Sequence, residues 1–176
     1  RLMIRLAVVG DIGSGKSYIA KKFGYPVFNA DAEVTKLYKT SKKCFVRLKK
    51  LLPQHIISFP IKKTELLKAI MINQFNLKKI IKVIHPEVRI KMNKFLIKNR
   101  NKKIVVLDIP LLLENKINKK NDILIFVDAK KSQINKRLKR RKNFNLKLFK
   151  KFKKIQLPIE YKKKKSQFIL KNNFTN

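Results

Sequence analysis

Apolar runs of strand length alternate along the chain with longer segments of helical periodicity. Near-continuous apolar runs of this kind are typical of parallel strands that are buried on both faces. The second run is short and ends in a polar tip at Asp31. We predict five strands, at residues 2–9, 25–31, 103–110, 122–128 and 168–170.

Amphipathic segments between these runs predict helices. Thr64 is the expected N-cap of one of them, and Pro86 is expected to break the helical segment around it. Strands that alternate with helices imply an α/β fold, in which a parallel sheet has right-handed crossovers. We expect one domain over residues 1–176, with an all-helical insertion at 33–100. The predicted helices are 17–23, 32–38, 45–52, 65–73, 77–84, 87–97, 132–141, 145–155 and 158–165.

Residues 10–17 read Gly-Asp-Ile-Gly-Ser-Gly-Lys-Ser, the phosphate-binding loop (P-loop) pattern G-x-x-x-x-G-K-S. Its glycines let backbone N–H groups turn towards an anion, and the helix that follows adds the positive end of its dipole. Lys16 can reach the β- and γ-phosphates, and the Ser17 hydroxyl can bind Mg²⁺. The sequence therefore predicts a site for a nucleoside triphosphate with Mg²⁺.

The net charge of +36, from 46 basic and 10 acidic residues, is extreme. A nucleic-acid binder could carry such a charge. However, few of the basic residues are Arg, which reads bases and phosphates better than Lys, and the lysines are spread over most segments. The pattern favours compositional drift over a specific nucleic-acid function, and we interpret the lysine run at 162–165 as a solvated helix face.

The single cysteine, Cys44, excludes an internal disulfide and is interpreted as a small core residue. No apolar run approaches the roughly 20 residues that are needed to span a bilayer. Removal of the apolar N-terminal segment as a leader would destroy the P-loop site. We therefore expect a cytoplasmic protein without membrane contact, and a monomer.

The remaining motifs narrow the class of P-loop protein. Residues 118–122 approach the guanine signature N-K-x-D, but their register is wrong and they do not follow a strand. Motor ATPases need much longer chains. A short chain with an acid at the tip of strand two, a helical insertion and a basic helix near its end has the plan of a nucleoside or nucleotide kinase.

Motifs along nearly the whole chain resemble those of the dephospho-coenzyme A kinase family, which are small-molecule kinases with a P-loop. The His-Pro-x-x-Arg and Pro-Leu-Leu-x-Glu segments are specific to that family, whereas the P-loop alone is not. The similar segments are 10–17 (G-x-I-G-S-G-K-S), 25–31 (I-P-V-I-D-A-D), 84–89 (I-x-H-P-x-V-R), 106–114 (V-L-D-x-P-L-L-F-E), 137–141 (R-L-x-x-R), 156–158 (Q-x-P) and 169–172 (V-I-x-N).

The resemblance implies ATP-dependent phosphorylation of the ribose 3′-hydroxyl of dephospho-coenzyme A, the last step of coenzyme A synthesis. It implies a P-loop kinase fold with a five-stranded parallel sheet flanked by helices. In that fold the insertion at 33–100 binds the acceptor, and a pair of helices at 130–156 forms a lid over ATP.

Four residues are expected to act in the reaction. Lys16 would neutralise charge on the triphosphate, and Asp31, at a strand tip facing the loop, would accept or orient the proton of the hydroxyl. Arg137 and Arg141, four apart on one helix face, resemble lid residues that stabilise the transferring phosphoryl group. A helix N-cap is the alternative role of Asp31, and a solvated basic face is that of the two arginines.

The other candidate residues bind rather than react. Asp108 is expected to reach Mg²⁺ through water, with Ser17 as a second ligand; its alternative is a strand-end turn residue. His85 has an alternative structural role, and Glu114 is expected to orient a basic neighbour. Contacts with ATP are expected from Gly13, Ser14, Gly15, Lys16, Ser17, Tyr18 and Asn172. Contacts with the acceptor are expected from Asp31, His85, Arg89, Pro110 and Leu111.

The chain also departs from the family pattern. Asn29 replaces the first acid of D-A-D, Tyr18 stands where Thr or Ser is usual, and residues 62–63 are Lys-Lys in place of an Asp-Arg pair. The family has a further helix after the position of Asn172, and without it we expect thinner cover on one face of the sheet. Two alternatives stay open: another P-loop kinase of a nucleoside or small alcohol, and a basic RNA-associated ATP-binding protein.

Overall fold

The computed structural model describes residues 2–142 and 144–175. Within them the strands are β1 (Ile4–Gly10), β2 (Val27–Asn29), β3 (Ile104–Asp108), β4 (Ile123–Asp128) and β5 (Phe168–Lys171). The helices are α1 (Lys16–Lys22), α2 (Ala30–Thr40), α3 (Lys42–Leu51), α4 (Lys63–Ile72), α5 (Phe75–Lys98), α6 (Lys131–Lys139), α7 (Leu146–Lys154) and α8 (Ile159–Lys165).

These strands form one parallel sheet in the order β2-β3-β1-β4-β5. The central strand β1 is buried on both faces. Its successive side chains point to opposite sides of the sheet. Val8 packs with Ala20 of α1 on one face, whereas Ala7 and Val9 pack with Met92 of α5 on the other. The predicted α/β class and its five-stranded parallel sheet are confirmed.

Helices α2 to α5 lie between β2 and β3 and enclose a separate apolar core. Cys44 and Leu48 of α3 are fully buried in this core, so the interpretation of Cys44 as a core residue is confirmed. The long helix α5 contributes Ile80 and Val83 to this core. It contributes Met92 to a second core, on the face of the sheet that α5 covers. It therefore fixes the four helices relative to the sheet.

The expected break at Pro86 is wrong, because α5 runs through the proline from Phe75 to Lys98. A proline inside a helix costs about 3 kcal/mol through the lost hydrogen bond and a clash of its ring. Ile84 and Met92 are buried on either side of it. Burial of a large apolar side chain contributes about 1.5–3 kcal/mol, so several such residues outweigh the proline.

Other predicted boundaries need smaller corrections. Helix α4 begins at Lys63, with Lys62 at the N-cap position, so Thr64 lies inside the first turn and is not the cap. Helix α6 ends at Lys139 rather than at residue 141. Among the described helices, none has the length and apolar character that crossing a membrane requires.

Candidate active site

The P-loop leaves β1 at Gly10 and enters α1 at Lys16. Gly15 occupies the N-cap position of α1 with a left-handed φ of 87°. A Cβ at this position would also collide with the side-chain nitrogen of Asn172. Glycine is required on both counts, since other residues rarely adopt this φ. The loop thus carries the backbone conformation that the motif predicted.

Lys16 lies inside the loop. Its Nζ donates to the backbone oxygens of Asp11 at 2.7 Å and Gly10 at 3.3 Å. The pKa of Lys16 is lowered to about 8, mainly by burial and then by the positive charge of Lys162. Negative charge favours the charged form of a lysine, so a triphosphate bound in the loop would raise this pKa again.

Asn29, Asp31 and Asp108 meet at the carboxyl ends of β2 and β3, where Asn29 lies opposite Asp108 in the sheet register. The Asn29 Nδ2 donates to the Asp108 Oδ2 at 2.8 Å, and the Asn29 Oδ1 accepts from the Ala32 N–H at 2.9 Å. Asn29 is therefore the N-cap of α2. The prediction that Asp31 ends a strand or caps the helix is wrong, because Asp31 lies in the first helical turn.

Asp31 faces an open cavity, so solvent reaches its carboxylate from one side while protein surrounds the rest. This partial desolvation raises the pKa of Asp31, and the negative charge of Asp108 raises it further. The charges of Lys16 and Lys63 act in the opposite direction. A carboxylate whose pKa is raised is a stronger proton acceptor.

The cavity measures about 450 Å³ and lies between the P-loop, the inserted helices α2, α4 and α5, and α7. Its wall is mostly apolar, and Ile12 of the P-loop forms part of it. The structure brings together at this cavity all five residues that were predicted to contact the acceptor: Asp31, His85, Arg89, Pro110 and Leu111.

His85 and Arg89 stand one turn apart on α5 and are the basic groups that this helix presents to the cavity. His85 is half-buried, and Arg89 is exposed. Burial lowers the pKa of His85, and the positive charge of Arg89 lowers it further. His85 is thus held in its neutral form, whereas Arg89 can pair with an anionic group of a ligand.

Helices α6 and α7 carry the residues assigned to the lid. The Arg137 guanidinium lies 4.2 Å from the centre of the Phe174 ring. Arg141 follows the end of α6, so the prediction that both arginines share a helix face is wrong. Lys153 of α7 pairs with Asp11 of the P-loop at 3.2 Å. This contact ties α7 to the loop, while Phe152 lines the cavity.

Asn172 contacts the P-loop rather than open space. Its side chain is buried, and its Nδ2 donates to the Ser14 backbone oxygen at 3.0 Å. Its Oδ1 accepts from the Phe174 N–H at 3.0 Å. Asn172, directly after β5, therefore supports the loop, and its predicted contact with ATP stays a prediction.

The candidate metal ligands are a hydroxyl and a buried carboxylate. Ser17 is exposed in the first turn of α1, and Asp108 is 3% exposed at the end of β3. Tyr18 is exposed beside Ser17. The described residues contain no cluster of three or more His, Cys, Asp or Glu that could hold a metal alone. Magnesium at P-loops is typically held by one or two such oxygens and by the phosphates of the nucleotide, and Ser17 and Asp108 fit that pattern.

Sequence reasoning missed one residue of this region. The run at 162–165 was interpreted as a solvated face, but Lys162 is 4% exposed and pairs with Glu114. This pair confirms that Glu114 orients a basic neighbour. A signal was present, because Ile159 is an apolar residue that packs against the core on the α5 face of the sheet, and Lys162, three residues later, shares its helix face.

Comparisons with known proteins agree with this geometry. A family model described as dephospho-CoA kinase matches residues 4–176. The dephospho-CoA kinase of Wolbachia pipientis wMel is 34% identical over 170 residues, which cover 94% of this chain and 87% of that protein.

Two solved structures share the fold. A protein from Thermus thermophilus matches with a TM-score of 0.80 and 27% identity, over 98% of this chain and 90% of the other. The dephospho-CoA kinase from Campylobacter jejuni matches with a TM-score of 0.60 and 24% identity, over 97% of this chain and 89% of the other. With a family model that spans nearly the whole described chain, this protein belongs to the dephospho-CoA kinase family.

Proposed function

We propose that this chain transfers the γ-phosphoryl group of ATP to the ribose 3′-hydroxyl of dephospho-coenzyme A and releases coenzyme A and ADP. The observation that carries the proposal is that one cavity joins the P-loop to Asp31 and to the basic groups of α5. Phosphoryl transfer requires a held triphosphate and a hydroxyl nucleophile in line with it. In this proposal the P-loop holds the triphosphate and the cavity beside it holds the hydroxyl.

Asp31 is the proposed base. Its carboxylate faces the cavity, where it can take the proton of the acceptor hydroxyl as the oxygen attacks phosphorus. The raised pKa strengthens Asp31 as a base. Lys16 would bind the β- and γ-phosphates from inside the loop and stabilise the charge that passes to ADP.

The acceptor would enter between the inserted helices and the loop after β3. The apolar wall suits the uncharged parts of dephospho-coenzyme A, and Arg89 and His85 are placed to contact its polar groups. Pro110 and Leu111 would form the floor under the ribose. Residues 33–100 are thus the proposed acceptor-binding region.

Residues 130–156 are the proposed lid. Arg137 and Arg141 would approach the transferring phosphoryl group when the lid closes, and closure would exclude water from the reaction. A divalent cation, Mg²⁺ in this proposal, supplies charge neutralisation between the β- and γ-phosphates when bound. Ser17 would hold it directly, and Asp108 through water.

An acceptor panel with ATP and Mg²⁺ tests the proposal. We expect release of ADP with dephospho-coenzyme A, no turnover with its 3′-deoxy analogue, and little turnover with nucleosides, nucleoside monophosphates or shikimate. Preference for one of the last three would replace this function by that of another P-loop kinase. Absence of turnover with every acceptor, together with saturable RNA binding at about 200 mM salt, would favour the RNA-associated alternative.

Two variants with matched controls test the proposed roles. Lys16→Met and Asp31→Asn should each abolish turnover while the protein stays folded. Lys21→Met, on the same helix as Lys16, and Glu33→Gln, in the same helical turn as Asp31, should retain it, because neither residue lines the cavity. If Asp31→Asn kept wild-type kcat, Asp31 could not be the base.

A further inference from the structure

One buried cation has no role in the reaction described so far. Lys162 lies on α8, and its side chain is 5% exposed. Its Nζ pairs with Glu114 and donates to the Gln156 Oε1 at 2.5 Å. A buried charge is strongly unfavourable unless it is paired and hydrogen-bonded. Glu114 and Gln156 therefore hold the Lys162 ammonium in a fixed position.

The contacts of Lys162 and of its helix reach both the cavity and the strand that leads into the P-loop. Gln156 lines the cavity. Glu114 belongs to the segment after β3 that begins with Pro110 and Leu111 at the cavity wall, and it also accepts from the Leu157 N–H at 3.0 Å. Helix α8 packs against β1, the strand that leads into the P-loop. The ion pair thus joins three segments that border the reaction site.

The charge of Lys162 acts on Lys16. After burial, it is the largest cause that lowers the pKa of Lys16. The groups that raise this pKa are Asp108, Asp11 and Asp31, and the carboxylate of Glu114 is not one of them. Geometry gives the same placement, because Lys163, the next residue of α8, pairs at 3.5 Å with Asp128 at the carboxyl end of β4, the strand beside β1. Lys162 therefore lies at the end of the sheet from which the P-loop leaves β1.

We propose that Lys162 is a positioning residue for the triphosphate, held by Glu114 and Gln156 so that a second fixed positive charge stands behind Lys16. A fixed charge in a poorly solvated site stabilises bound negative charge without reorganisation at the moment of reaction. Lys162 acts through the fixed positive charge that it adds beside the loop, and does not need to touch the nucleotide. This inference rests on the proposed use of ATP.

The test removes the charge of Lys162 without leaving Glu114 unpaired. In the double variant Lys162→Met with Glu114→Gln, no uncompensated charge remains, and we expect a melting temperature close to that of the wild type. The dissociation constant of ATP with Mg²⁺, measured by calorimetry without any acceptor, should rise about tenfold. A second neutral pair, Lys162→Gln with Glu114→Gln, should behave in the same way and serves if the first does not fold.

Lys164→Met is the control, because Lys164 is exposed on the same helix and its loss removes one positive charge away from the buried ion pair. It should leave the affinity for ATP unchanged. Wild-type affinity in a folded neutral pair would overturn the proposal, and so would an equal loss in Lys164→Met. A wild-type protein that does not bind ATP would overturn the proposed function itself, whereas wild-type ATP binding without acceptor turnover would leave the role of Lys162 intact.

Discussion

The side chain of Asn29 joins two features of the site that a carboxylate at the same position could not join. Its Oδ1 caps α2, and its Nδ2 donates to Asp108. Substitution to Asp keeps a good helix cap, since Asn and Asp are equivalent at that position. It removes the donor, however, and places a second carboxylate against Asp108, which is 3% exposed.

The structure sets the size of the effect. A hydrogen bond to a charged group contributes about 1.5–3 kcal/mol. Two carboxylates that rotate to about 5 Å apart repel by about 3 kcal/mol at an effective dielectric constant of about 20. Asn29→Asp should therefore lower the free energy of unfolding by about 4.5–6 kcal/mol. Asn29→Ala, which loses the cap and the hydrogen bond without added repulsion, should lower it by about 2–4 kcal/mol.

Urea unfolding at neutral pH, with and without excess Mg²⁺, measures both variants. A cation can relieve repulsion between two carboxylates, so Mg²⁺ should restore stability to Asn29→Asp and not to Asn29→Ala. If Asn29→Asp were as stable as the wild type in the absence of divalent cations, the contact between Asn29 and Asp108 would not hold the site as described.

Three further predictions concern the base, a buried ion pair and the inserted helices. Because burial and Asp108 raise the pKa of Asp31, kcat/KM should fall as the pH drops through a value above the ordinary carboxylate range, and a pH profile without such an acid limb would refute its role. Asp122→Asn removes the partner of Arg5, whose side chain is 8% exposed, and should lower the free energy of unfolding in urea by about 3–5 kcal/mol. Leu48→Ala empties a fully buried position and should cost about 2–5 kcal/mol by the same assay; a cost below about 1 kcal/mol would contradict the packing.

Local patterns were enough to predict the sheet and the P-loop. Every strand is an apolar run, and the glycine spacing of residues 10–17 specifies the loop conformation that the structure has at Gly15. The residues around the cavity were predicted from family motifs. Residues that are far apart in sequence meet there through tertiary packing, which hydrophobic spacing alone does not predict. The structure then brought together Asp31, His85 and Arg89 from two helices.

The errors arose where tertiary contacts outweigh local preference. Pro86 was expected to break a helix, but α5 continues through it because the buried residues on either side stabilise the helix. Lys162 was judged by its lysine-rich neighbours, although a partner 48 positions away in sequence, Glu114, determines its burial. Asn29 was counted as a lost acid, and its double role as cap and donor becomes visible only when β2 and β3 are paired.

The position of the new phosphate in the product tests the central claim most directly. Dephospho-coenzyme A and ATP with Mg²⁺ would be incubated with the protein, and the product would be analysed by mass spectrometry and phosphorus NMR. The account predicts a single added phosphate on the ribose 3′-oxygen, absent with Asp31→Asn and present with Glu33→Gln. Phosphate on another atom, or ADP formed without any phosphorylated acceptor, would contradict it.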